Sequence, residues 1–124
     1  MWNITKVETD GREPVAVVSG EVIGDVLSAL DMMATVRYET GFDRIVIDKT
    51  MLDAKFFELR TGLAGEIAQK FVNYQVKLAI VGDFDAYTST SKSLRDFIYE
   101  CNHGTNLFFL PTEAQAIEKL GATR

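Results

Sequence analysis

Apolar positions along this chain follow two rhythms, one of strand-like runs and one of helical spacing. Residues 2–8 and 14–19 are short strand-like stretches joined by the turn-rich TDGRE segment. So short a link predicts an antiparallel hairpin. From about Glu21 to Tyr38 the apolar residues Val22, Ile23, Val26, Leu27, Leu30, Met33 and Ala34 keep helical spacing. Ser19 is a candidate N-cap for this helix and Gly41 a plausible stop. RIVID (44–48) and KLAIVG (77–82) are continuously apolar, as expected of central strands covered on both faces.

Between those runs a helix begins near Thr61, with Leu63, Ala64, Ile67, Ala68 and Phe71 on one face. Residues 91–103 predict another, with Leu94, Phe97, Ile98 and Cys101 at i, i+3, i+4 and i+7, ended by Gly104. NLFFL (106–110) reads as a last strand, closed by Pro111. Thr112 and Gln115 have capping-box spacing at the start of a closing helix that runs to about Leu120. The order is β-β-α-β-α-β-α-β-α. It predicts one α/β domain over 1–124, with a mostly parallel central sheet and an N-terminal antiparallel hairpin.

A length of 124 residues allows a core without staples or metal. The net charge of -5 argues against nucleic acid, whose phosphates call for clustered Lys and Arg. Cys101 is the only cysteine, which excludes an internal disulfide and points to a reducing compartment. MWNITKVETDG lacks a signal pattern and no apolar run reaches membrane-spanning length, so a cytoplasmic protein without membrane contact is expected.

In a parallel sheet the carboxyl ends of the strands form the usual working edge. Here that edge collects Asp48 and Lys49, then Arg60, Thr61 and Gly62 from the following loop, then Asp83. Beyond them the start of the 91–103 helix adds Ser91, Lys92 and Arg95. Polar loops and helix caps explain such residues without any ligand. A partner or an anionic small molecule would explain them equally. Thr61 at a helix start reads first as an N-cap, accepting a backbone N–H. As a phosphoacceptor it would carry its charge at the positive end of a helix dipole, with Arg60 at hand.

Other chemistries fit less well. Asp83-Phe84-Asp85 lacks the surroundings of a magnesium-dependent phosphotransfer site. Cys101 lies on an apolar stripe and reads as core, and His103 reads as a residue at a helix C-terminus. Neither metal nor cofactor is expected. A phosphorelay receiver domain would need an acidic pair after its first strand and a Lys-Pro after its last, and both are missing.

LRTGLAGEIAQKFVNYQVKLAIVGDF (59–84) and SKSLRDFIYECN (91–102) resemble a bacterial family known as domain of unknown function 4180, over nearly the whole chain. At greater distance the element order and RTGLAG (60–65) resemble the STAS domains of anti-sigma-factor antagonists. Those are non-enzymatic switches, phosphorylated on a Ser or Thr at this helix start by a partner kinase. The resemblance carries the phosphoacceptor to Thr61 and implies a kinase or an anti-sigma-like protein as partner. Leu59 stands where that family has an acidic residue, and Arg60 where it has a small polar one. The expected function is therefore a non-catalytic interaction domain contacting its partner through 49–71, with Arg60 and Thr61 central and Phe84 and Tyr87 adding exposed aromatic area. The alternative is a binding or enzyme site at the strand ends, formed by Asp48, Arg60, Asp83, Ser91, Lys92 and Arg95. A homo-oligomer formed through the hairpin edge is a third possibility.

Overall fold

A computed structural model describes residues 1–123. Five strands, β1 (Asn3–Val7), β2 (Val15–Ser19), β3 (Arg44–Asp48), β4 (Lys77–Val81) and β5 (Leu107–Leu110), form one sheet whose spatial order follows the chain. β1 pairs antiparallel with β2, and every later pair is parallel. The helices are α1 (Val26–Thr40), α2 (Leu63–Asn73), the single turn α3 (Asp85–Thr88), α4 (Lys92–Asn102) and α5 (Glu113–Ala122). The α/β class and hairpin-first order read from the sequence are those observed. The short α3 is an addition to them.

Sequential strand order has a geometric consequence. Crossovers of one hand, repeated in one direction, deposit every connecting helix on the same face. Accordingly α1, α2 and α4 pack together on the face formed by Ala16, Val18, Ile45, Ile47, Leu78, Ile80, Leu107 and Phe109. The opposite face, Val15, Val46, Ala79 and Phe108, is covered by α5 through Ala116 and Leu120. The alternation along each strand reflects its two-residue side-chain period.

Arg44 is the one buried charged residue among those described, 6% exposed, at the start of β3. Its Nη1 donates to the carbonyls of Leu120 (2.6 Å) and Thr123, at the C-terminal end of α5. A cation there meets unpaired carbonyls and the negative end of the helix dipole. Across the sheet, the Asn102 side chain closes part of the β5 edge. Its Nδ2 donates to the Phe109 carbonyl (3.1 Å) and its Oδ1 accepts the Phe109 N–H (2.7 Å).

One boundary departs from expectation. The helix expected from Glu21 starts at Val26, and its cap is Asp25 rather than Ser19. Asp25 accepts the Ser28 N–H (2.8 Å) while the Ser28 hydroxyl accepts the Asp25 N–H (3.2 Å), a reciprocal capping box. Hydrogen bonding to the carboxyl by Ser28, foremost its backbone N–H, holds Asp25 below its ordinary pKa. The preceding stretch is extended instead. Ile23 is buried and bridges to Leu52, its N–H donating to Met51 and its carbonyl accepting from Asp53. Helical spacing at Val22 and Ile23 is a coincidence of two apolar residues with different tasks. The buried face of α1 is Ala29, Met32, Met33 and Val36, so Leu27 faces solvent.

Candidate functional site

β3 and β4 are neighbours in register, Asp48 opposite Val81, so the loops that leave them start side by side. Asp48 turns back on its own loop, accepting the Thr50 N–H (2.9 Å) and hydroxyl (2.6 Å). Lys49 reaches across to the next loop, where its Nζ donates to the Asp83 carbonyl. Its stem lies on Gly82, whose φ is 154°, and a Cβ there would come within 2.6 Å of the Lys49 Cδ. Only glycine admits both that backbone and that contact. Asp83 in turn accepts the Asp85 N–H (2.9 Å). The fold therefore does gather Asp48, Lys49 and Asp83, and it links the last two directly.

From Lys49 to Thr61 the chain runs through three successive 3₁₀ turns, Lys49–Met51, Ala54–Phe57 and Leu59–Thr61. Asp48 and Asp53 cap the first two with their side chains. Phe56 and Phe57 anchor the segment from below, and both are buried. Phe57 stacks on Tyr87 with centroids 4.3 Å apart and planes 9° from parallel. The expectation that Phe84 and Tyr87 are exposed aromatics is corrected here. Phe84 is buried edge-on against Phe109 (5.2 Å), and Tyr87 is half-buried under this stack.

Thr61 is exposed and ends the third turn. The N-cap of α2 is Gly62, at φ 78°, so Thr61 lies one residue outside the position expected for it. It still accepts an amide from the helix start, the Leu63 N–H at 3.3 Å. Its hydroxyl lies 2.8 Å from the Glu58 carbonyl and 2.9 Å from that of Lys55, and donates toward both. One hydroxyl thus ties the second and third turns to α2. Arg60 beside it is exposed, and none of the ion pairs among the described residues includes it.

Ser91, Lys92 and Arg95 sit at the start of α4. Ser91 caps it through the Leu94 N–H (3.2 Å), Lys92 pairs with Asp96 one turn on (2.9 Å), and Arg95 is exposed. Two clefts open at the strand ends. One of about 400 Å³ is lined by Asp83, Asp85, Thr88, Ile98, Phe109 and Leu110. The other, of about 440 Å³, lies between Val17, Val46 and Val81 with Asp48, Thr50 and Glu113 at its rim. Asp48 and Asp83 thus line different clefts, and Arg60, Ser91, Lys92 and Arg95 line neither. Thr50 and Glu113 escape a reading of the sequence, although the Thr112 cap puts Glu113 at the carboxyl end of β5.

Cys101 is half-buried and burial pushes its thiol up to about 11. His103 is the C-cap of α4, its Nδ1 2.8 Å from the Tyr99 carbonyl. Among the described residues no group of three or more His, Cys, Asp or Glu is arranged to hold a metal ion, and no helix is long and apolar enough to cross a membrane.

Fold and loop together define an α/β protein whose carboxyl edge is a chain of self-capped turns leading into α2. The chain belongs to the family described as Domain of unknown function (DUF4180), whose sequence profile matches residues 11–120. No curated protein and no solved structure matches it.

Proposed function

We propose that this is a cytoplasmic, STAS-like regulatory domain that works by binding a protein partner, not by catalysis. The contact surface in this reading is the 49–62 segment with the first turns of α2, and Thr61 is its regulated hydroxyl. The observation that carries it is the bonding of Thr61, an exposed side chain whose single O–H serves two carbonyls of the preceding turns. Phosphorylation would remove that donor and set a dianion beside carbonyl oxygens and near Glu58, so the turns would have to rearrange. Arg60 and Lys55 are the cations at hand to receive the phosphate. Modification would thereby change the shape of the surface as well as its charge.

The polar residues of the carboxyl edge favour this reading over an enzyme, because most of them are committed locally. Asp48 is held by Thr50, Lys49 by Asp83, Ser91 by Leu94 and Lys92 by Asp96. A partner kinase or anti-sigma-like protein is the binding class implied. Mass spectrometry of the protein from its native cells should find phosphate at Thr61. In pull-downs, Thr61→Glu should change the set of captured proteins relative to Thr61→Ser. Absence of modification in all growth conditions, with Thr61→Glu behaving as wild type, would sink the switch.

A second reading rests on the 440 Å³ cleft. Its valine floor and its rim of Asp48, Thr50 and Glu113 suit a small ligand with an apolar body and a polar or cationic head. A screen of small amines by NMR, with no shifts at Val17, Val46 or Val81, would remove it.

A further inference from the structure

The turns at 49–61 are fastened to the next loop of the carboxyl edge, 82–91, at two points. The first is the Lys49 ammonium, which donates to the Asp83 carbonyl. The second is the Phe57 ring, stacked on Tyr87 at 4.3 Å and tilted against Phe84 at 6.1 Å. Thr61 acts on the second. The two carbonyls that its hydroxyl serves, Lys55 (2.9 Å) and Glu58 (2.8 Å), are those that flank Phe56 and Phe57. The Lys55 carbonyl also accepts the Glu58 N–H (3.2 Å), which closes the turn carrying both rings. Phe56 is completely buried and packs on Phe109, whereas Phe57 keeps a slightly exposed edge and packs on the 82–91 loop.

The receiving side is weakly held. α3 is a single turn of four residues, too short to persist on its own hydrogen bonds. Ring contacts set its place, Phe84 edge-on against Phe109 and Tyr87 against Phe57. From α3 the chain passes straight to α4, the Ser91 N–H donating to the Tyr87 carbonyl (3.1 Å) at the cap of that helix. Asp85 and Thr88 of α3 line the 400 Å³ cleft together with Ile98 and Phe109.

We propose that the Thr61 hydroxyl controls the 82–91 loop and the shape of that cleft, acting through the second 3₁₀ turn and the Phe57–Tyr87 stack. The inference rests on Thr61 being the regulated hydroxyl and adds what that hydroxyl regulates. While it donates, the Ala54–Phe57 turn is braced on both sides of its rings and Phe57 holds Tyr87. When the donor is lost, or replaced by phosphate, the turn loses its brace and the Phe57 ring leaves Tyr87. α3 then shifts, and Asp85 and Thr88 shift with it. Packed elements of this kind change between discrete arrangements rather than by degrees. Coupling is also reciprocal, so a partner that grips the 82–91 loop with the stack intact favours the bonded, unmodified Thr61. The regulated surface is therefore composite, 49–62 together with 82–91, and the two rings couple its halves.

Nuclear magnetic resonance and amide hydrogen exchange of the full chain test this with Thr61→Val, which removes the donor without adding charge. The Tyr87 ring protons, displaced in the wild type by the Phe57 ring current, should move toward their unstacked positions. Exchange at the Thr88 and Ser89 amides should quicken about fivefold, the weight of one net hydrogen bond, while α5 stays unchanged. Thr61→Ser should do neither. In a Phe57→Leu background, Thr61→Val should still disturb 55–58 but no longer reach 87–89. Tyr87→Leu, at a half-buried position, supplies the same disconnection if Phe57→Leu folds poorly, and should itself shift the Thr61 and Leu63 amides. Changes confined to 55–63 overturn the proposal, as does an effect that passes undiminished through Phe57→Leu or an equal quickening in α5. None of these measurements needs phosphate, so failure of the coupling and absence of modification at Thr61 are read in separate experiments.

Discussion

The two faces of the sheet are covered in opposite manners. On one, three helices and the 49–62 turns share the load, and an aromatic group of Phe56, Phe57, Phe84, Phe97 and Phe109 fills the space beneath them. On the other, the single helix α5 lies across β2 to β5 on a much smaller cluster. Its fastenings are few and specific: the Thr112 cap (3.2 Å to the Gln115 N–H), the Lys119 ammonium 5.1 Å from the centre of the Phe108 ring, the Arg12–Glu118 pair (2.9 Å) and the Arg44 guanidinium. The crowded face is redundant and the thin face depends on individual residues. One and the same sheet can therefore lose stability globally from one side and locally from the other.

The largest test of that contrast is Phe56→Ala. Loss of this fully buried phenyl ring, packed against Phe57 and Phe109, should cost about 3–5 kcal/mol of global stability in urea unfolding. A loss under 1 kcal/mol would show that the aromatic group does not carry the thick face. Arg44→Met comes next. It leaves the Leu120 and Thr123 carbonyls without their donor and should cost about 1–3 kcal/mol. The decisive readout is hydrogen exchange, which should quicken across 113–122 and stay slow in α1 and α2. Equal quickening everywhere would mean that α5 is not a separately fastened unit.

Thr112→Ala should remove about 1 kcal/mol at the other end of α5, again with exchange changes confined to that helix. The smallest effect belongs to Cys101. With its thiol pushed up to about 11, it should alkylate slowly near pH 8 and faster only as the pH approaches 11. The folded chain keeps this proton to a higher pH than the unfolded chain does. The resulting contribution to stability is present below the ordinary thiol pKa and is lost as pH rises from there through about 11. Prompt labelling at pH 7 would show that the α4 side of the thick face opens readily.

The periodicities that predict the fold are those where one face is apolar and the other is not. α2 and α4 keep that pattern: α2 starts two residues after Thr61, and α4 lies within one residue of 91–103 at each end. α1 does not, because Leu27 and Tyr38 break the rule on its outer side, so its buried face is misassigned from sequence. Val22 and Ile23 extend the apparent helix by coincidence of spacing, since Ile23 is buried in an extended bridge to Leu52 and Val22 is exposed. The 49–62 turns are hidden because their order comes from Asp caps and two buried rings rather than from any repeat. Arg44 is invisible as a core residue, since a strand-opening arginine reveals its carbonyl partners only once the chain has folded back over 76 positions. The candidate edge is legible as a set of neighbours, Asp48, Lys49 and Asp83, through the strand ends that bring them together. How those residues divide between two clefts is decided by side-chain bonds that no spacing encodes.

The Asn102 amide has a consequence for how this molecule behaves in a crowd. By pairing with both backbone groups of Phe109, it imitates one residue of a neighbouring strand and makes further addition at β5 unprofitable. Asn102→Leu would hand those two groups, set between Leu107 and Leu110, to any passing chain. The expected injury is kinetic and collective: a solution that clears normally when dilute and seeds thioflavin-positive fibrils when concentrated. A single carboxamide, in this view, marks the place where the sheet stops being a template.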